Sequence, residues 1–202
     1  MNNAANAMKM ENSAPPPCNI VVAGLGGQGV LTAADIIAEV ALRAGFDVKK
    51  SEIKGMSQRG GSVTGDVRFG AHILSPMVPA GEADFLLALE PSQMAPNRHL
   101  LRAGGVTIGP SAIDAGKLPQ KKMLNVALLG ALSARLPMTE QAWLDAVASA
   151  FDQKFLDANR QAFLLGRAGQ NKDIHAFTDA ARKPVRPPDG FAAMIDQAAQ
   201  SP

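Results

Sequence analysis

A glycine-rich turn near the amino terminus is the first group of residues whose spacing predicts chemistry. Residues 24–29 read GLGGQG, a G-x-G-x-x-G pattern, and they directly follow the apolar run 20–23. A strand that turns on glycines into a helix leaves free backbone N–H groups at the helix N-terminus, where a phosphate or carboxylate can bind. The same glycines are expected where a helix only packs closely on a strand. The pattern alone therefore leaves a binding role, a subunit contact and simple packing open.

A second glycine-rich element follows later in the chain. Residues 54–62 read KGMSQRGGS and combine three glycines, two hydroxyls, an amide and a guanidinium. Glycines allow a positive φ, and successive N–H groups in such a loop can form an anion-binding nest. The Arg59 guanidinium could add a bidentate contact to a carboxylate or phosphate. Because a plain hairpin connection would not need this composition, we favour a binding role for the loop.

Three of these features are expected at one edge of the fold. The turn 24–29, the loop 57–62 and Glu90 each follow the end of a segment that is predicted as a parallel strand. Ligands of open α/β sheets bind beyond the carboxyl ends of the strands. Glu90 is therefore either an acid of a pocket at this edge or a residue that only ends its strand.

Composition excludes several classes of site. The net charge is +2 and aromatic residues make up 4 %, which argues against a nucleic-acid-binding surface. Cys18 is the only cysteine, so this chain alone can form neither an intramolecular disulfide nor a cysteine-ligated iron–sulfur or zinc site. The histidines His72, His99 and His175 are separated along the sequence, and no metal site is predicted. No nucleophile-elbow, zinc-protease or P-loop pattern is present, so no catalytic residue is assigned.

The residues at the end of the second predicted strand argue against an NAD site. A Rossmann domain usually places an Asp or Glu there to bind the ribose hydroxyls. Lys49 and Lys50 occupy that place here, although Glu52 lies close by. An independent NAD(P)- or flavin-binding oxidoreductase stays open as an alternative, because the two lysines could suit a 2′-phosphate.

Hydrophobic periodicity predicts a βαβ unit in the first quarter of the chain. The run 19–23 is apolar, as in a strand buried on both faces, and residues 28–44 carry apolar side chains at helical spacing before Gly45. A strand at 46–50 completes the unit, whose strands should be parallel and whose crossover should be right-handed.

An antiparallel piece is expected to interrupt this pattern. Residues 62–69 alternate between apolar and polar side chains, and a turn at 70–71 into 72–74 predicts a hairpin. The remaining elements are expected to be strands at 84–89 and 105–108, a short helix after Pro91, a buried helix at 123–136, a helix with Thr139 as its N-cap, and a final helix from about Phe155 to Gly166 or Gly169. Together they predict an α/β fold, a Rossmann-like three-layer open sheet that is mostly parallel with an antiparallel hairpin insertion.

The chain is expected to hold one domain at 18–182 between two less regular segments. Residues 1–17 lack the apolar stretch of a secretory signal and are interpreted as a flexible lead-in. Residues 183–202 include a proline-rich run and are interpreted as an extended tail. No run has the roughly 18 apolar residues of a membrane helix, so a cytoplasmic location is expected.

Several segments together resemble a known family. The stretch 22–63, VAGLGGQGVLTAADIIAEVALRAGFDVKKSEIKGMSQRGGSV, is similar to the gamma-type domain of the 2-oxoacid:ferredoxin oxidoreductases, in particular to the small (beta) subunits of the indolepyruvate enzymes. Residues 75–91, 127–135 and 154–167 extend the resemblance, which covers about 19–169. The motif GMSQRGGSV is specific, whereas GLGGQG alone is not.

The resemblance implies a reaction and a division of labour. An aryl-2-oxoacid and CoA give an acyl-CoA, CO2 and reduced ferredoxin. Thiamine diphosphate, magnesium and the iron–sulfur clusters lie on a larger alpha subunit, so this chain binds no cofactor alone and is expected to be inactive alone. Its partners are that subunit, CoA and, indirectly, ferredoxin, with no nucleic acid and no membrane.

The resemblance also implies which residues line the reaction cleft. They are Gly24, Gly26, Gly27, Gln28, Gly29, Ser57, Gln58, Arg59, Gly60 and Gly61. Arg59 and the backbone N–H groups would face a CoA phosphate or another anionic group, and Lys49, Lys50 and Lys54 would add positive charge. A purely structural subunit is the alternative, in which Arg59 pairs with a carboxylate of the partner.

Overall fold

The structure is a computed structural model, which describes residues 16–54 and 60–169. The strands of this part are β1 (Cys18–Leu25), β2 (Asp47–Lys54), β3 (Ser62–Gly70), β4 (Ala83–Ala88) and β5 (Leu101–Ile108). Its α-helices are α1 (Val30–Arg43), α2 (Met94–Asn97), α3 (Leu124–Ser133), α4 (Glu140–Ala150) and α5 (Leu156–Gly169), with short 3₁₀ turns between them. Most of the expected lead-in, residues 170–182 and the whole expected tail lie outside the described residues.

The five strands form one sheet in the order β2-β3-β1-β4-β5. The pairs β1–β4 and β4–β5 are parallel, while β3 is antiparallel to both β1 and β2. Four strands therefore run in one direction and β3 opposes them. The predicted α/β fold, a mostly parallel open sheet with an antiparallel insertion, is confirmed.

The predicted partner of β3 is wrong. Residues 72–74 form no strand, and β3 pairs instead with β2 in a register from Asp47↔Gly70 to Lys54↔Val63. Strand β2 continues to Lys54, beyond the end predicted for it. It can therefore pair with β3 along nearly the whole length of β3. The predicted βαβ strands, β1 and β2, do run parallel, but β3 lies between them.

Two aspartates, the half-buried Asp47 and the buried Asp66, bind the backbone of the segment 71–82, which connects β3 to β4. Asp47 Oδ2 accepts the N–H of Ile73 at 2.7 Å, and Asp66 Oδ2 accepts the N–H of Val78 at 2.9 Å. Asp66 is 6 % exposed, and this burial raises the pKa of its carboxyl above the usual value. These hydrogen bonds fix the segment in an irregular conformation, whereas the turn pattern predicted a strand at 72–74.

The two faces of the sheet are covered unequally. Alternate residues of β1, such as Ile20 and Val22, belong to a large core that includes side chains of α1 and of α3 to α5. Val21 and Ala23 point to the other face, where Val78 and residues of β4 form a smaller cluster. The third layer of the predicted arrangement is thus thin, because irregular segments and short helical turns build it.

Helices α3 and α5 are in backbone contact. A Cβ at Gly130 would lie 2.0 Å from the carbonyl oxygen of Phe163, and a Cβ at Gly166 would lie 1.7 Å from that of Ala127. Gly166 is therefore an interior residue of α5, which ends only at Gly169. Glycine is required at both positions because no side chain fits between the helices.

Polar contacts fix the ends of these helices. Arg167 donates to Ser133 Oγ at 2.8 Å, and its Nε lies 3.0 Å from Glu140 Oε2. It thereby joins the end of α3 and the start of α4 to α5. The predicted N-cap Thr139 is confirmed, since its Oγ1 accepts the N–H of Ala142 at 3.3 Å.

Across residues 16–54 and 60–169, no helix combines the length and apolar content needed to span a bilayer.

Candidate functional site

The first glycine turn has the predicted strand–turn–helix geometry. Gly27 and Gly29 have positive φ angles of 91° and 82°, which favour glycine. Gly29 is the N-cap residue of α1 and supplies no side-chain hydrogen bond, and the first turn of α1 carries no acidic residue. A Cβ at Gly29 would lie 2.7 Å from Asn125 Nδ2. Asn125 is a neighbour of this turn that sequence reasoning missed, since nothing in the local pattern marks it.

The physical reason for a glycine differs from one position of this turn to the next. A Cβ at Gly24 would lie 2.7 Å from Val30 Cγ2 and 3.1 Å from Gln28 Oε1, so Gly24 permits close packing of α1 on β1. A Cβ at Gly26 would be at ordinary contact distance, 3.7 Å from the backbone nitrogen of Gly60, and one at Gly27 would have none of the described residues within 4 Å. Packing therefore explains Gly24 and leaves Gly26 unexplained.

The two glycine-rich elements meet at the carboxyl edge of the sheet. The N–H of Gly26 donates to the carbonyl oxygen of Gly61 at 2.9 Å, and Gly60 has a φ of 67°. The structure thus brings together the turn and the described end of the second element, as predicted. The remaining residues of that element to which a role was assigned, Ser57, Gln58 and Arg59, lie outside the described residues.

A side-chain bridge crosses this edge from β1 to β4. The N–H of Leu25 donates to Gln28 Oε1 at 2.8 Å, and Gln28 Nε2 donates to Glu90 Oε2 at 2.8 Å. Sequence reasoning named Gln28 and Glu90 separately but did not predict the bond between them. A second link that it missed runs from Ser62 Oγ, which donates to Gln93 Oε1 at 2.7 Å.

The lysines of β2 are not placed as predicted. Because β2 continues to Lys54, Lys49 and Lys50 lie within the strand rather than at its carboxyl end, where they were predicted. Lys50 is hydrogen-bonded to Asp35, which raises the pKa of the ammonium group, and Lys49 Nζ lies 3.8 Å from Asp47 Oδ1. Neighbouring carboxylates offset both charges, so neither lysine is positioned as a 2′-phosphate ligand at the strand end.

Comparison with known proteins identifies the family. The family model described as pyruvate ferredoxin/flavodoxin oxidoreductase matches residues 19–169, three quarters of the chain. The chain belongs to this family. The pyruvate ferredoxin/flavodoxin oxidoreductase match includes the described part of the glycine-rich edge, Glu90 and all five strands except the first residue of β1.

Curated relatives support the same assignment over most of their length. The indolepyruvate oxidoreductase subunit IorB of Thermococcus kodakarensis is 35 % identical over 188 residues, which cover 73 % of this chain and 93 % of that protein. The IorB subunit of Archaeoglobus fulgidus is 53 % identical over 75 residues, 37 % of each chain. The pyruvate/ketoisovalerate oxidoreductases common subunit gamma of T. kodakarensis is 30 % identical over 175 residues, covering 80 % of this chain and 94 % of that protein.

Solved structures of this family share the fold. The keto/oxoacid ferredoxin oxidoreductase gamma subunit of Geobacter sulfurreducens superposes with a TM-score of 0.65 at 26 % identity, covering 76 % of this chain and 98 % of that one. The 2-oxoglutarate:ferredoxin oxidoreductase of Magnetococcus marinus gives a TM-score of 0.67 at 21 % identity, covering 77 % of this chain but 31 % of that chain. The second match shows the fold alone, as part of a longer polypeptide.

Proposed function

We propose that this chain is the small subunit of a thiamine-diphosphate-dependent 2-oxoacid:ferredoxin oxidoreductase that acts on aryl pyruvates such as indolepyruvate. Family membership and the similarity to proteins named as IorB and gamma subunits support this role. In the complex, an aryl-2-oxoacid and CoA give an acyl-CoA, CO2 and reduced ferredoxin. The carboxyl edge of the sheet forms part of the wall of the cleft in which CoA reacts.

The observation that carries this proposal is the hydrogen bond between Gly26 and Gly61. It joins the two glycine-rich elements at the edge where open α/β sheets bind ligands. Among the described residues, a Cβ at Gly27 or Gly60 would meet nothing within 4 Å at this edge. A run of backbone with positive φ angles is suited to close approach by a phosphate or by another chain.

The donor groups of this chain do not fit the metal centres of the reaction. Its single cysteine, Cys18, is buried, and among the described residues no three His, Cys, Asp or Glu side chains form a cluster that could hold a metal ion. Thiamine diphosphate, magnesium and the iron–sulfur clusters therefore belong on the partner subunit in this proposal, where the thiamine supplies the decarboxylation chemistry. This chain contributes binding and shape, and Arg59 contacts an anionic group of CoA.

The decisive experiment is reconstitution with the larger subunit. The purified complex should reduce ferredoxin in a CoA-dependent reaction with indolepyruvate, phenylpyruvate or pyruvate, and the rates with these three oxoacids define the substrate. Oxidation of an oxoacid by this chain alone would refute the proposal. A clear thermal shift of the isolated chain at low micromolar NADP would do the same and favour an independent nucleotide-binding protein.

Two substitutions separate a role in binding CoA from a role in assembly. A Cβ at Gly26 would make only ordinary contacts with the described residues, so we take a raised KM for CoA in Gly26→Ala to report a blocked approach rather than misfolding. Arg59→Ala should raise the KM for CoA as well. Gly169→Ala is the matched control, since a Cβ there would lie 3.9 Å from Ala112 at the far end of α5. Normal CoA kinetics with salt-sensitive loss of the complex would instead identify an assembly role.

A further inference from the structure

The order of the strands creates a crevice between β1 and β4. From β1 the chain continues through α1 to β2 on one side of the sheet, and from β4 it continues to β5 on the other side. Ligands of open α/β sheets bind at such a switch point, outside the carboxyl ends of the two strands. Pairing extends to the mouth of the crevice, because the N–H of Leu89 donates to the carbonyl oxygen of Ala23 at 2.7 Å.

The side chains of Gln28 and Glu90 span this crevice in a fixed orientation. The N–H of Leu25 donates to Gln28 Oε1, so the amide must present its Nε2 group to the Glu90 carboxylate. The absence of a side chain at Gly24 makes room for this amide, since a Cβ there would lie 3.1 Å from Gln28 Oε1. Glu90 is thus held as a hydrogen-bond acceptor at the switch point.

The carboxylate of Glu90 retains capacity to bind a further group. A carboxylate has about four acceptor positions, and Gln28 uses one of them. Glu90 is partly exposed, so solvent reaches part of this residue. A hydroxyl or amide N–H of a bound molecule can therefore donate to Glu90 without displacing Gln28.

The charge of Glu90 determines which group the crevice accepts. Helix α1 begins two residues after Gln28, and its first turn has neither an acidic residue nor a side-chain cap. The Glu90 carboxylate brings negative charge to this helix N-terminus, where a nucleotide phosphate usually lies in related folds. A phosphate placed here would meet a like charge in a partly desolvated crevice.

We propose that Glu90, oriented by Gln28, recognises a phosphate-free, hydrogen-bond-donating part of CoA, namely the hydroxyl or amide groups of its pantetheine arm. The inference rests on the proposed function and deepens it, because it states which part of CoA lies in the crevice. The CoA phosphates then lie outside the β1–β4 crevice.

Equilibrium binding to the reconstituted complex tests this assignment. CoA and pantetheine, which lacks phosphate, are titrated into the wild-type complex and the Glu90→Gln complex. Gln keeps the shape of the side chain and its bond to Gln28 but removes the charge. Both probes should bind about tenfold more weakly, the usual effect of losing the charged partner of a hydrogen bond. Glu82→Gln is the control, because Glu82 is exposed at the opposite end of β4 and should leave both affinities unchanged.

Each other result overturns the assignment. Tighter binding of CoA to the Glu90→Gln complex would place a phosphate in the crevice, and unchanged affinities would leave Glu90 a purely structural role. Weaker association of the subunits with unchanged affinities would assign the carboxylate to a donor of the partner chain. If the Glu90→Gln complex does not assemble, Glu90→Asp replaces it as the test variant. Asp keeps the charge but places it one methylene further from the bound molecule, so both CoA and pantetheine should bind more weakly. A wild-type complex that binds neither probe would refute the proposed function itself.

Discussion

Replacing Gly166 by alanine should disrupt the contact between α3 and α5. The added Cβ would lie 1.7 Å from the carbonyl oxygen of Ala127, whereas ordinary contacts begin at 3.4 Å, so the helices must separate by well over 1 Å. Overpacking of this kind costs about 1–3 kcal/mol and more where backbone meets backbone, because no side chain can rotate away. Alanine returns about 1 kcal/mol through its helix propensity. We expect a net loss of about 3 kcal/mol in the free energy of unfolding.

Urea or thermal unfolding of the full chain measures this loss. For a chain of about this size, 3 kcal/mol corresponds to a Tm lower by about 6–12 °C. Gly169→Ala in the same helix is the matched control, since a Cβ at Gly169 would lie 3.9 Å from Ala112, and it should leave the Tm unchanged or slightly raised. Equal unfolding free energies for the two variants would refute the close approach of the helices.

Three further predictions follow from single contacts. Arg167→Ala should lower the free energy of unfolding by about 1–2 kcal/mol in urea, because it removes the donor to Ser133 Oγ. Gly27→Ala should cost about 1 kcal/mol of backbone strain, and Gly29→Ala clearly more, because its Cβ would also lie 2.7 Å from a neighbouring amide. Burial raises the pKa of Asp66, so its folded form binds the proton more tightly than its unfolded form. The contribution of this group to stability is present below pH 3.8 and is lost as the pH rises through the raised value. Asp66→Asn keeps an acceptor and should therefore gain stability relative to the wild type over that pH range.

Matched variants decide each of these cases. Arg160 is an exposed arginine of the same helix and serves as the control. If Arg167→Ala lowers the free energy of unfolding no more than Arg160→Ala does, the hydrogen bond to Ser133 does not contribute as predicted. Equal losses for the two glycine variants would mean that the Asn125 amide moves aside freely. Parallel pH–stability curves for Asp66→Asn and the wild type would contradict the burial of the carboxyl.

Local patterns predicted the elements of this fold well. The apolar spacing from Val30 to Ala41 gave α1, and Thr139 gave the start of α4, because helix periodicity and N-capping depend only on residues within a few positions of each other. The positions of the glycine turn and of Glu90 at the carboxyl edge followed from the parallel strands.

Local patterns failed where a distant segment competes for the same groups. The turn signal at 70–71 predicted a hairpin, but β3 finds a longer partner in β2, and the carboxylates of Asp47 and Asp66 bind the backbone of the segment that follows β3. Of the two predicted ends of the last helix, Gly169 is correct, whereas Gly166 lies inside α5, where the glycine is needed because the backbone of α3 leaves no space for a side chain.

The sequence by itself determined the succession of strands and helices, the strand–turn–helix geometry of the glycine turn and the family. Those properties are set by residues close together in the chain. Only the tertiary structure decided that Gln28 and Glu90, 62 positions apart, share a hydrogen bond, and that β3 lies between β1 and β2. The physical reason is that such contacts depend on how complete faces pack and which donors and acceptors burial leaves to be satisfied, and these conditions exist only once the sheet has formed.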